Sequence, residues 1–498
     1  MESHKRAGVR VWLGLGLLAL PTVLLGLDVT VLYLVMPSMA AELEPTATQT
    51  LWIMDAYGFF IAGFLITMGT LGDRIGRRRL LMIGVAAFAA ASVVAAFAPD
   101  AGLLIVARAL LGIAGATLMP STLSLISNMF ADVRQRAVAI GVWATMFALG
   151  MAAGPVVGGA LVDRFWWGAA FLIAAPVAVV VLALAPVLLP EYAAPGQGRL
   201  DPVSVVLSLV AVLPLVYAIK SGATHGVDAL TPVLVVVSAV AGTVFVRRQL
   251  RLAAPLLDMT LFRDRAFSAA LTVLLVGLVG VGGTMYLVTQ FLQLVEGLSP
   301  AIAGLWMGLP ALAMFVAAIG APIVARRIRP GTVMGATLGV SLIGYGLLAT
   351  AEVGDATNVV LGFGFVYLGL GAIAALGTDI VVGAAPAEKS GSAAALSETV
   401  QEFGIAAGVA LLGSLSTAVY RSLAQAPAGV TPEVAERITA SLDGALAADR
   451  ADTVQQAREA FVVGLNVASL AVGAAILAVT VLGLFMLRHI RPIGETRP

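Results

Sequence analysis

Long apolar runs, broken by short clusters of charge or of Gly and Pro, recur along nearly the whole chain. Most runs are about 18 to 27 residues long, and at about 1.5 Å per residue a helix of that length covers a hydrocarbon core of about 30 Å. Their limits predict fourteen membrane spans, near 11–36, 49–71, 80–98, 102–126, 137–161, 168–189, 202–220, 230–246, 266–293, 301–325, 332–351, 357–384, 391–420 and 460–487. A transmembrane β-barrel, built from short alternating strands, is excluded. The expected fold class is an all-α polytopic membrane protein with 14 transmembrane helices. The opening MESHKRAGVR is basic like the start of a signal peptide. The apolar run continues past Asp28 to Met36 with no A-x-A-like cleavage site, so it reads as an uncleaved first span.

Charge placement orients the chain. Of the 29 Lys and Arg, six fall on one side, one (Arg108) lies inside a span, and 22 fall on the other side, which is then cytoplasmic and holds both termini. The composition agrees with burial in lipid: 60% hydrophobic, 11% charged, mean hydropathy +1.00. With no Cys, disulfides, thiol catalysis and thiolate metal sites are excluded. His4, His225 and His489 fall in tails or a loop, so neither a His-based metal site nor an intramembrane imidazole relay is available. The loop at about 421–459 is the one sizeable extramembrane piece. It is expected to form an external hairpin from two short amphipathic helices, TPEVAERITASLDGAL and TVQQAREAF, a flexible linker being the alternative. No soluble catalytic domain fits elsewhere. The nearest approach to a phosphate-binding G-x-x-x-x-G-K-[ST] is GAAPAEKS, with Glu388 where Gly is needed, so ion gradients rather than ATP are expected to supply energy.

An ionisable group in a span costs about 2.5 to 3.5 kcal/mol on insertion scales, so each needs a reason. Five acids fall there, Asp28, Asp55, Asp379, Glu398 and Glu402, against the single Arg108. Asp28, Asp55 and Arg108 share a depth of about 9 to 12 Å below the outer ends of their spans. The two Asp compete for Arg108, Asp55 ahead of Asp28, and the one left over is free to titrate. Trp52, Asp55 and Phe59 recur at i, i+3 and i+7, one helix face, where a carboxylate between aromatic rings suits an organic cation; Tyr57 joins them as a candidate contact. Trp52 taken alone reads equally as an interface anchor. Glu398 and Glu402 are four apart, on one face, about 11 and 17 Å from the inner end, and such a pair can exchange protons for a cation. A carboxyl held neutral by Ser397 or Gln401 for packing alone is the alternative. Asp379, nearer the inner end, can snorkel to the cytoplasm. Trp306, Met307, Met314 and Phe315 offer an adaptable apolar wall, or plain packing.

The loop GTLGDRIGRRR, with Gly69, Asp73, Arg74, Gly76 and Arg77 in register, resembles the signature cytoplasmic loop of the major facilitator superfamily. LIVARALLGIAGA around Arg108, Gly112 and Gly115 resembles its second signature. GMAAGPVVGG, with Gly150, Gly154, Pro155, Gly158 and Gly159, is similar to its antiporter motif. By packing alone the last is a helix-contact face. Fourteen spans, WIMDAYGF and EKSGSAAALSETVQEFG together resemble the drug:proton antiporters that export quaternary ammonium compounds and dyes. Two departures stand out: the tenth span carries no acid, and GAPIVARRIRPG, the second copy of the loop motif, lacks its Asp.

The resemblance implies a major facilitator fold of two six-helix bundles plus an inserted pair: residues 1–193, an insert and cytoplasmic linker at 194–265, and 266–498 with the hairpin. It implies that Asp73 and Arg77 gate, and that the acids bind cations or couple protons. The expectation is a non-enzymatic, monomeric multidrug efflux antiporter of the bacterial inner membrane, a source of antibiotic resistance. It needs no cofactor beyond the proton gradient, and its partners are lipophilic cations, protons and the bilayer, not nucleic acid. Two alternatives stay open: export of an endogenous metabolite or self-made antibiotic on the same fold, and a membrane-embedded sensor or enzyme.

Overall fold

The structure, a computed structural model, describes residues 7–45, 47–192, 201–225, 229–252, 255–386, 390–427, 430–446, 451–488 and 490. The elements are α1 (Val9–Leu43), α2 (Ala47–Ile75), α3 (Arg77–Ala96), α4 (Ala101–Met129), α5 (Val133–Arg164), α6 (Ala169–Leu172), α7 (Ala174–Leu188), α8 (Pro202–His225), α9 (Leu230–Gln249), α10 (Arg265–Gln290), α11 (Pro300–Trp306), α12 (Gly308–Val324), α13 (Pro330–Leu348), α14 (Ala356–Ala384), α15 (Ser390–Leu423), α16 (Pro432–Ala440), α17 (Leu442–Leu446) and α18 (Ala451–Met486). Thirteen stretches among the described residues are long and apolar enough to span a membrane. The 32-residue α5, without a charge between Arg136 and Asp163, is the fourteenth.

Two of the expected spans are broken, each for the same reason. Pro176 and Pro310 lack the N–H that would bond the carbonyl four residues earlier, at Leu172 and Trp306, and the helix is interrupted there, between α6 and α7 and between α11 and α12. Helix starts are set by side chains that accept otherwise orphaned N–H groups: Asp100 from Leu103, Asp132 from Gln135, Asp264 from Phe267. The hairpin expected on the outer side differs from expectation in its second half, because TVQQAREAF continues into α18 as its first turns instead of forming a separate helix. The first half docks on the long outer extensions of α15 and α18: Ile438, Leu442 and Ala445 are buried with Phe461, and the Tyr420 hydroxyl donates to the Ile438 carbonyl at 2.8 Å.

Most of one apolar core is drawn from α1 to α7 and most of a second from α10 to α18. A third, smaller cluster sits at the inner end of the seam. There Leu256, Leu257 and Leu261 of the linker join Ile66, Phe267, Val381 and Ala393. The inserted α8 lies over the seam, touching both α2 and α15, while α9 leans mainly on α8. Residues 391–398 of α15 are all buried. From Thr399 to Phe403 the helix becomes half-exposed, so Glu398 is the last residue of the fully buried stretch.

Candidate transport site and inner gate

Arg108 of α4 is turned into the first bundle, where it donates to Asp28 of α1 at 2.5 Å and to the Ile53 carbonyl of α2 at 3.1 Å. Its guanidinium lies 4.7 Å above the Tyr57 ring. Arg108 and Asp28 are 1% and 5% exposed. Such a pair holds because extra donors and acceptors satisfy both ions after desolvation. Arg108 is therefore paired with Asp28, the acid that the sequence spacing ranked second. The Asp55 side chain lies outside the described residues. Tyr57 also changes role: it is buried, its ring faces the resident cation Arg108 and packs edge-on with Phe88, and it offers no surface to a passing one.

Trp52 and Phe59 do meet, edge to face at 5.8 Å, and Trp52 stacks at 6.1 Å on Tyr217 of the inserted α8, a neighbour that sequence spacing had no means to name. The supposed wall at 306–315 is divided. Met314 is buried, whereas Trp306 borders an outer groove of about 350 Å³ and Phe315 is exposed.

In the second bundle Glu398 is 3% exposed and accepts from the Gln401 amide at 3.0 Å. Gln401 also approaches Ser397 at 3.4 Å, and Ser397 lies 3.4 Å from Thr378 of α14. Glu402, one turn outward on the same face, is half-buried. Unlike Asp28, Glu398 is met by a neutral amide.

Asp379 belongs to a different structure. Arg136, rising from the inner end of α5, donates to it at 2.8 Å, and Gly383 leaves room for the guanidinium. The sequence reading counted Arg108 as the one balancing cation because Arg136 precedes its apolar run; a long side chain reaches back into the seam. Asp379 thus ties α14 to α5 across the two bundles.

Beside this pair is the loop expected to gate. Asp73 pairs with Arg77 one turn on and accepts from the Ser392 backbone N–H and hydroxyl at 3.1 and 3.2 Å, so one carboxylate of the first bundle caps the first turn of α15 in the second. Side-chain-free positions permit the approach: a Cβ at Gly69 would strike the Gly391 backbone, and one at Gly391 the Arg77 guanidinium. Gly76 takes φ of 108°, a conformation costly for any side-chain-bearing residue, with Glu191 directly behind it and Arg78 paired to Glu191 at 3.5 Å. Arg74 is half-buried. Ser124 and Ser390 close the same plane at 2.8 Å. Ser124, Arg136, Glu191, Ser390 and Ser392 were not singled out from sequence, since each becomes informative only through a partner more than a hundred residues away.

The glycines of GMAAGPVVGG lie against α1. A Cβ at Gly150, Gly154 or Gly158 would meet Val23, Thr30 or Val31, and Thr30 donates to the Met151 carbonyl at 2.8 Å. The side-chain surroundings of Pro155 and Gly159 lie outside the described residues. The motif is a close helix contact within one bundle.

The sequence profile of the Major Facilitator Superfamily matches residues 18–409. The chain belongs to that superfamily. Among its relatives is the multidrug efflux pump LfrA of Mycolicibacterium smegmatis, 44% identical over 89% of this chain and 88% of the relative. The methyl viologen resistance protein SmvA of Salmonella typhimurium is 34% identical over 88% and 89%. A tetracenomycin C resistance and export protein of Streptomyces glaucescens is 33% identical over 82% and 76%. The fold is shared with the human organic anion transporter MFSD10 at a TM-score of 0.60 and 14% identity, over 96% of this chain and 99% of that one. As a major facilitator the chain is a multi-pass membrane transporter and not an enzyme. The paired Asp73, Arg77 and Ser392 are then contacts of the seam between its two bundles.

Proposed function

We propose that this chain is a multidrug efflux transporter of the bacterial inner membrane, with both termini cytoplasmic, that exports lipophilic cations in exchange for protons by alternating access. The observation that carries this is Glu398: a buried carboxyl, met by a neutral amide, at the level where α15 passes from fully buried to half-exposed. Among the described residues an ionised Glu398 has no fixed cation paired with it to offset its desolvation, so it is stabilised by an incoming proton or by an organic cation, and the two compete. In the inward-facing state the deprotonated acids take cargo from the cytoplasmic side. In the outward-facing state a proton from outside neutralises the carboxyl and the cargo leaves. The protonated carrier then returns and releases the proton inside. Per cycle one cation leaves and at least one proton enters. Glu402 is placed to meet the cargo first, and Trp52 and Phe59 supply aromatic surface. The carrier works as a monomer and needs no cofactor. The named activities of LfrA and SmvA agree with this reading.

The test is transport of a fluorescent organic cation into inverted vesicles with and without an imposed pH gradient. Glu398→Gln is expected to cut gradient-driven transport at least about tenfold and to flatten its pH dependence, while the folded protein is retained. Wild-type transport by this variant would refute the assignment. Export of a self-made antibiotic is the second reading, favoured by the tetracenomycin C relative; uncharged aromatic compounds in the same assay, transported in preference to cations, would select it.

A further inference from the structure

The inserted helix pair is joined to the inner gate by a chain of hydrogen bonds that the cycle above does not use. At the inner end of α8, Asp201 accepts from Arg248 of α9 at 2.6 and 3.0 Å and from the Ser204 hydroxyl at 2.6 Å. Ser204 in turn accepts from the Gln249 amide at 2.8 Å. Gln249 is 3% exposed, and its Oε1 accepts from the Leu256 backbone N–H at 2.7 Å and from that of Leu257 at 3.4 Å. The Leu256 carbonyl then accepts from the Thr70 hydroxyl at 2.7 Å. Thr70 lies 3.4 Å from the hydroxyl of Ser392, the residue that holds Asp73.

The chain crosses the seam at its last link. Leu256, Leu257 and Leu261 are buried with Phe267, Leu271, Val381 and Leu396, which lodges the linker mainly on the second bundle, whereas Thr70 belongs to α2 of the first. Thr70 also has the carbonyl of Ile66 in its own helix at 3.1 Å. Its hydroxyl can therefore turn back to its helix when the bundles part, and no buried donor is stranded. A contact that can be given up without an orphan suits a reversible closure.

We propose that Gln249 is a positioning residue of the inner gate. By fixing the Leu256 carbonyl toward Thr70, it makes the inserted pair a latch that favours the sealed inner state. The inference rests on the seam opening during transport, as in the cycle proposed above, but its test reads the seam itself and not efflux.

The 498-residue chain has no Cys, so introduced thiols report cleanly. In inverted vesicles, Ser124→Cys is labelled by a maleimide when the seam opens, and the pair Ser124→Cys with Ser390→Cys cross-links when it is sealed, the parent oxygens being 2.8 Å apart. Gln249→Leu, which keeps the bulk and removes all three hydrogen bonds of the amide, is expected to raise maleimide labelling about fivefold, the population shift that one net hydrogen bond across the seam commands, and to slow cross-linking to match. Thr70→Val attacks the same link from the other bundle and carries the test if Gln249→Leu does not fold. The double variant is expected to show no more than either single change, because both break one chain. Parent-level labelling in Gln249→Leu or Thr70→Val, or effects that multiply in the double variant, would overturn the proposal.

Discussion

Each bundle carries buried acid beside the central gap, and the two solutions differ. In the first, Asp28 is neutralised by a resident cation that is itself held by a carbonyl and an aromatic face. In the second, Glu398 is held by an amide that carries no charge. The first arrangement is complete without any mobile species. On the proposed cycle the second is completed by a proton or a passing cation. The two acids are thus told apart by their partners, a guanidinium for Asp28 and an amide for Glu398, and counting acids in spans does not reveal this.

The sharpest way to break the comparison is to remove the resident cation. Arg108→Ala leaves Asp28 buried without its ion partner, a change that costs about 3 to 5 kcal/mol. Purified protein should melt well below wild type, and Asp28→Asn in the same chain should recover most of the loss. Glu398→Gln replaces one acceptor with another beside Gln401 and should stay within about 1 kcal/mol of wild type, while transport fails. Equal melting losses in Arg108→Ala and Glu398→Gln would erase the distinction between a structural pair and an exchanging acid.

A third acid sharpens the contrast, because Asp379 has a resident cation that belongs to the other bundle. Its pairing is complete while the seam is sealed and broken when it opens. Asp379→Asn should thus leave folding nearly intact and shift the seam toward opening. A charge-assisted hydrogen bond is worth about 1.5 to 3 kcal/mol net, and Arg136 is partly exposed, so the lower end applies, about tenfold in population. Maleimide labelling of Ser124→Cys measures it; no change would place Asp379 outside the gate.

These differences mark what the sequence disclosed. The spans were legible because lipid demands long apolar runs whatever the tertiary arrangement, and the loop of Gly69 to Arg77 because its spacing is a local pattern. The breaks before Pro176 and Pro310 were written in the chain but masked by uninterrupted hydropathy. The pairings were not legible. Depth placed Asp28, Asp55 and Arg108 together without saying which Asp faces Arg108, since helix rotation about its axis is set by packing between bundle neighbours. Arg136 counts by sequence as a cytoplasmic loop charge because it precedes the apolar run, though its side chain reaches Asp379 in the seam. Tyr57 shared a helix with Trp52 and Phe59 but points to a different side of it.

The smallest effect belongs to a fourth acid, Asp201, which sits outside the bilayer core and completes the series as a solvent-accessible pair. Hydrogen bonds from Arg248 and Ser204 hold its carboxyl below the ordinary carboxylate range. A depressed folded-state value means the pair contributes stability above the unfolded value, about pH 4, and loses that contribution as pH falls toward the folded value. Asp201→Asn should therefore melt slightly below wild type at pH 7, and the gap should close progressively below about pH 4. Water and salt screen such a pair, so added salt should also narrow the gap, which it will not do for Arg108→Ala in the dry interior of the first bundle. If salt narrowed both gaps equally, the Asp28 pair would be as wet as this one, and the argument that it is structurally self-sufficient would lose its physical basis.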